Sequence, residues 1–109
     1  MTVYIIQQDD KKNLRAAGRF GAIKYLFTRG VFPDNQQERV KEMIRIARKI
    51  LQDFDPKTDY IVPIGDPVSI TIVAAILSEM YEIIPVLKWD GEAEAYYPVT
   101  IDLQIGDLK

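Results

Sequence analysis

The stretch whose residue types could do the most chemistry is the turn Gly65-Asp66-Pro67, which separates two apolar runs. Aspartate before proline is typical of a helix start, since the carboxylate accepts a backbone N–H that the helix leaves unpaired. The same turn would lie at the carboxyl end of a strand, where open α/β sheets bind ligands. Asp66 would then accept a hydrogen bond from a ribose hydroxyl or hold a hydrated cation. Both interpretations stay open, although the glycine spacing of dinucleotide-binding and P-loop motifs is missing.

The residue types that the sequence lacks exclude several classes of enzyme. It has no cysteine and no histidine, so thiol catalysis, thiolate zinc sites, Ser-His-Asp triads and imidazole-bound metals are excluded. Only magnesium held by carboxylates stays plausible as a catalytic metal. Asp90, Glu92 and Glu94 alternate as a cation site would, but acidic turns of this kind are usually solvated. We therefore predict no cofactor, no metal site and no catalytic residue, with a magnesium-dependent enzyme built on Asp66 as the least favoured alternative.

A basic segment, Lys11–Arg29, contains six Lys and Arg residues and no acidic one. Its arginines alternate with aromatic residues, a combination typical of sites for nucleotides or single-stranded nucleic acid. The alternative is that the rings point into the core while the charges face water, and a net charge of −2 argues against a general nucleic-acid binder. The candidate ligand-binding residues are Gly65, Asp66, Arg15 and Arg19.

Three aromatic residues, Trp89, Tyr96 and Tyr97, flank a turn at Asp90-Gly91. Side chains with an apolar body and a polar tip are favoured in protein interfaces. If they are exposed, the three would form a docking or dimerisation surface. If they are buried, they would close the core under a C-terminal hairpin, and the sequence does not decide between the two.

Apolar periodicity and turn residues divide the chain into alternating strands and helices. Residues 20–28 also fit a helix, and their glycines and aromatic residues favour a strand. Asp34 and Gln37 predict a capping box at the first helix. The second helix has so little polar surface that we expect it to be covered on more than one side. The predicted strands are Thr2–Gln7, Phe20–Thr28, Asp59–Gly65, Ile83–Trp89 and Ala95–Leu103, and the predicted helices are Asp34–Asp53 and Pro67–Glu82.

The order β-β-α-β-α-β-β predicts a single α/β domain over residues 1–109. We expect two or three layers, a mixed sheet with a Rossmann-like parallel centre, and a C-terminal antiparallel hairpin. No apolar run is long enough to span a membrane, and no secretory signal opens the chain, so an intracellular location is expected. Residues 1–49 carry a net charge of +6 and residues 50–109 one of −8. This asymmetry indicates an anionic partner or contact between copies, unless the fold mixes the two halves.

The segments GDPV (65–68), LKWD (87–90) and YYPV (96–99), with Asn13-Leu14 and Phe20-Gly21, resemble a pattern in a family of small bacteriophage proteins. This resemblance covers most of the chain. It implies no activity and no catalytic or binding residue. What it implies is a phage-type accessory protein acting in the cytoplasm of a bacterial host.

These observations favour a non-enzymatic binding or interaction protein that forms a small homo-oligomer in the cytoplasm. A host protein is a second expected kind of partner, and no membrane partner is expected. The alternative function is a nucleotide or nucleic-acid binder that modulates host processes.

Overall fold

The computed structural model describes residues 1–9 and 12–104, which contain one five-stranded sheet. Its strand order is β2-β1-β3-β4-β5; the first four strands run parallel, and β5 runs antiparallel to β4. The predicted mixed α/β fold and the C-terminal hairpin are therefore confirmed. The strands are β1 (Thr2–Gln7), β2 (Ala22–Phe27), β3 (Tyr60–Val62), β4 (Ile83–Asp90) and β5 (Ala95–Asp102).

Helices cover the two faces of the sheet unequally. Helix α1 (Gln36–Ile50) and helix α2 (Pro67–Met80) both pack on one face, which we call the helix side. A short 3₁₀ helix, Leu14–Phe20, covers the centre of the opposite face. Alternation along β1 separates the two cores, because Tyr4 points to the helix side and Val3 to the opposite face. The Rossmann-like description is not confirmed: the strand order differs from the Rossmann order, and a 3₁₀ helix connects β1 to β2.

Two predicted element starts are corrected by the structure. The strand predicted from Phe20 begins at Ala22, because Phe20 ends the 3₁₀ helix and Gly21 turns the chain with φ 154°. Helix α1 begins at Gln36 after the N-cap Asn35, whose φ of 59° is left-handed and whose side chain makes no cap hydrogen bond. Asparagine tolerates that conformation better than most residues, so the capping box predicted from Asp34 does not form.

Three prolines lie within strands or directly after one. β3 ends at Val62, directly before Pro63, so it is shorter than predicted. Pro85 and Pro98 lie within β4 and β5, opposite Thr100 and Leu87 respectively. β5 pairs only with β4 and forms one edge of the sheet, where proline is tolerated. Among the described residues, no helix is long and apolar enough to cross a membrane.

Candidate functional site

Asp66 lies at the start of α2, and both of its carboxylate oxygens accept backbone hydrogen bonds. Oδ1 accepts from the N–H of Val68 at 2.8 Å, which is the N-cap bond that the sequence predicts. Oδ2 accepts from the N–H of Val31 at 3.1 Å and so fastens the loop after β2 to the start of α2. The carboxylate therefore joins two backbone segments, with one oxygen serving each.

Gln7 occupies the crevice in which an α/β sheet of this order would bind a ligand. The chain leaves β1 toward β2 on one side and reaches β3 on the other, so the crevice lies between the carboxyl ends of β1 and β3. The Oε1 atom of Gln7 accepts from the N–H of Asp66 at 3.1 Å and from the hydroxyl of Ser69 at 2.9 Å. Gly65 has φ 136°, and a Cβ there would lie 2.4 Å from the Cβ of Gln7. The side chain of Gln7 thus fills the crevice between β1 and β3.

The loop between β2 and α1 is held in place from both sides. Gly30 is buried against Asp66, since a Cβ on Gly30 would lie 2.5 Å from Oδ2 of that residue. Arg39, whose side chain is only 10% exposed, donates to the carbonyls of Arg29 at 2.7 Å and Gly30 at 3.4 Å and pairs with Glu42. Phe32 protrudes from this fixed loop with 60% of its surface exposed.

A polar cavity of about 270 Å³ lies beside that loop. Three arginines and three carboxylates line it, so their formal charges cancel and the cavity selects neither an anion nor a cation. Its lining residues are Arg29, Phe32, Asp34, Asn35, Glu38, Arg39, Glu42 and Arg45.

The structure does not bring the four predicted ligand-binding residues together. Arg15 and Arg19 belong to the 3₁₀ helix on the face opposite α1 and α2. The guanidinium of Arg19 lies 5.2 Å from the centre of the Phe20 ring, which contacts Tyr60 at the start of β3. Gly65-Asp66 follow the other end of β3, so Arg19 and Asp66 lie at opposite ends of that strand.

The aromatic trio also divides between the two faces of the sheet. Trp89 and Tyr96 are opposite each other across the hairpin, with ring centres 5.0 Å apart, and they pack under the 3₁₀ helix. Burial raises the pKa of the Tyr96 hydroxyl above its usual value. Tyr97 points to the helix side and is 42% exposed. The first two residues close a core, and only Tyr97 stays available for contact with a partner.

The acidic turn after β4 is organised by one carboxylate. Oδ1 of Asp90 accepts from the N–H groups of Glu92 at 3.0 Å and Ala93 at 3.4 Å. In the described part of the chain, no group of three or more carboxylates is placed to hold a metal ion.

A groove between α1 and α2, which the sequence did not indicate, is the largest of the described cavities, with a volume of about 420 Å³. Its walls are mostly apolar side chains of α2, and Val68 among them is 41% exposed. An exposed ion pair, Arg48 with Glu79 at 3.3 Å, crosses its far end. The lining residues are Ile44, Arg48, Pro67, Val68, Thr71, Ile72, Ala75, Ile76 and Glu79.

On the other side of α2, the described residues leave the helix side of β5 exposed, whereas Ile84 of β4 is buried in the helix-side core. Tyr97, Val99 and Ile101 point to this side at 42%, 38% and 43% exposure. We call these three residues, with Val86 of β4, the open sheet face. A second apolar cavity, of about 200 Å³, lies where this face meets α2. Its lining includes Pro63, Ile70, Ala74, Val86 and Ile101.

A family model matches nearly the whole chain. Residues 1–103 match the model of a family described as Phage Pam3 gp32-like protein. No curated protein and no solved structure matches the chain. The match confirms the expected phage-type family, and it does not test the GDPV, LKWD and YYPV segments one by one. Because it covers nearly the whole sequence, the chain belongs to the Phage Pam3 gp32-like protein family.

Proposed function

We propose that this phage-family protein is a non-enzymatic interaction protein that works in the host cytoplasm and associates with a second copy of itself. The observation that carries the proposal is the apolar surface on both sides of α2. The groove toward α1 and the open sheet face together form a largely apolar surface on a chain in which 28% of residues are charged. Large exposed apolar patches of this kind typically mark interaction sites.

The polar groups support a structural role rather than a catalytic one. The two oxygens of Asp66 are engaged by backbone N–H groups, and Gln7 fills the adjacent crevice. A general base needs a lone pair directed at its substrate, and a nucleophile needs an adjacent base. At this position, which was the best candidate in the sequence, both carboxylate oxygens hold backbone N–H groups in place, which supports a structural role.

Self-association is favoured over capture of a nucleotide by the character of the exposed surface. Nucleotide sites combine phosphate-binding cations with an accessible crevice. Here Arg19 lies over its own neighbour Phe20, at the other end of β3 from Asp66. The polar cavity beside Phe32 has no net charge in its lining. The accessible surface around α2 is largely apolar, and an apolar surface on a second copy of the chain would complement it.

Light scattering of the purified protein tests this proposal, with matched variants on one strand. The wild-type mass is expected to approach twice 12.5 kDa at concentrations up to about 100 µM, where a dimer of micromolar Kd is nearly complete. Val99→Glu places a charge in the open sheet face and is expected to give a monomer. Thr100→Glu, the next residue on the opposite face, is expected to leave the mass unchanged. A wild-type chain that stays monomeric over this range would refute the proposal.

A further inference from the structure

We infer that the second copy places its own α2 on the open sheet face, so that two α2 helices share one layer between two sheets. This inference rests on the proposed function and specifies the contact. A two-fold axis running along the helices would make the exchange reciprocal, with each copy donating a helix and receiving one.

The open sheet face has the position and the chemistry of a missing helix-binding surface. In the described residues, the helix layer contains α1 and α2 and ends beside α2. Beyond it, Tyr97, Val99 and Ile101 form an apolar row at every second residue of β5, and Val86 adds to it from β4. The cavity of about 200 Å³ between this row and α2 is lined almost entirely by apolar side chains. A helix lying next to α2 would fill this space.

The outer side of α2 is suited to lie on that face. Thr71, Ala75 and Ser78 are exposed and lie at helical spacing opposite the buried Val73 and Leu77. Both hydroxyls are already hydrogen-bonded within the helix, Thr71 to the carbonyl of Pro67 at 2.7 Å and Ser78 to that of Ala75 at 2.8 Å. Covering them with an apolar surface would therefore leave no new unpaired polar group.

The charges on both surfaces permit this contact. The one charged residue of α2 is Glu79, which pairs with Arg48 on the α1 side of the helix, away from β5. On the strand side, the exposed Lys88 lies directly opposite Tyr97, at the end of the apolar row nearest the hairpin turn and away from its centre at Val99. No charge without a partner would be buried at the centre of the contact, which is the main cost of burying charged groups.

A contact through the face is favoured over a contact through the edge of β5. Strand addition would need free backbone N–H groups along the edge strand, and Pro98 at its middle has none. Edge prolines of this kind block pairing with other chains. The apolar side of β5, and not its edge, is thus the surface that we assign to the partner.

The area of the contact is adequate for a dimer. A helix of 14 residues is about 21 Å long and about 10 Å wide, so it covers roughly 200 Å² of sheet in projection. Each copy would contribute three surfaces: the outer side of α2, the open sheet face, and the flank of α2 that touches the α2 helix of the other copy. Three patches of this size give roughly 600 Å² per partner, which is the lower end of the range for specific interfaces.

Disulfide trapping tests the arrangement, because the chain has no cysteine of its own. Ala75→Cys places a thiol on the outer side of α2, and Val99→Cys places one on the open sheet face. The two single variants are mixed, with a short tag on one of them, and oxidised mildly. The mixed disulfide is expected to form at least about tenfold faster than the disulfide of either variant with itself, because the two Cβ atoms must come within about 4.5 Å of each other. Ala75→Cys mixed with Thr100→Cys, on the opposite face, is the matched control.

The outcomes separate this inference from the proposed function. A wild-type dimer whose Ala75→Cys and Val99→Cys variants link no faster than the control pair would overturn the arrangement and leave self-association intact. Faster linking of Ala75→Cys with itself would also overturn it, because the outer sides of the two α2 helices would then face each other. A monomeric wild type would end both proposals and would assign the apolar surface to a different protein.

Discussion

Replacing Asp66 with alanine distinguishes a structural carboxylate from a ligand-binding one. The change removes the N-cap bond to Val68, which costs about 1 kcal/mol. It also leaves the N–H of Val31, in a partly buried position, without its acceptor, which costs about 1–2 kcal/mol more. The expected loss is therefore about 2–3 kcal/mol. For a chain of 109 residues this corresponds to a fall in Tm of about 9–13 °C.

Urea unfolding followed by far-ultraviolet circular dichroism measures this loss, at one fixed protein concentration because self-association would contribute to stability. Asp66→Ser is the informative intermediate: a serine hydroxyl can still cap α2 but is too short to reach Val31 as well, so about half of the loss is expected. Asp34→Ala is the matched control, since Asp34 is exposed and lies one residue before the N-cap of α1. A loss below about 0.5 kcal/mol for Asp66→Ala, within the usual range for surface changes, would refute the structural role.

Two further predictions concern packing and pH. Gly30→Ala would place a Cβ 2.6 Å from the Cβ of Asp66 and is expected to cost about 1–3 kcal/mol, whereas Gly91→Ala, whose nearest neighbour would lie at 3.9 Å, is expected to cost less than about 0.5 kcal/mol in the same urea assay. Burial, followed by the charges of Asp59 and Asp53, raises the pKa of Tyr4 above 10.0, so the native state keeps this proton longer than the unfolded state does. The free energy of unfolding therefore keeps this contribution below pH 10 and loses it as the pH rises further, by up to about 1.4 kcal/mol per pH unit. Tyr4→Phe is expected to flatten that loss in urea titrations above pH 10. An equally steep loss in Tyr4→Phe would contradict the second prediction.

Local sequence signals predicted the elements well and their ends less well. The start of α2 was predictable, because Asp66 caps the N–H of Val68 only two residues away and Pro67 occupies the first helical position. The same kind of signal failed at Asp34, since the left-handed turn at Asn35 starts the helix two residues later. The 3₁₀ helix between β1 and β2 was not predicted as an element. It is needed because adjacent parallel strands require a crossover connection, and the sequence does not show that these two strands are neighbours.

The candidate site depended on contacts that no local pattern contains. Gln7 and Val31 reach the Gly65-Asp66 turn from positions 59 and 35 residues away from Asp66. The sequence could therefore identify Asp66 as a helix cap but could not show that its second oxygen is occupied. The division of the aromatic trio between the two faces was easier to predict from the sequence, because neighbouring strand residues point to opposite faces. That rule alone separates Tyr96 from Tyr97.

The composition of β5 links the open sheet face to the unusual composition of α2. An antiparallel hairpin can leave one face in water, and such a face typically carries polar residues at every second position. In β5 the helix-side positions are instead Tyr97, Val99 and Ile101, while Thr100 and Asp102 lie on the other face. Helix α2 shows the corresponding anomaly, since one charged residue in 14 is too few for a helix with a solvated outer side. One contact, α2 of a second copy on this face, would account for both.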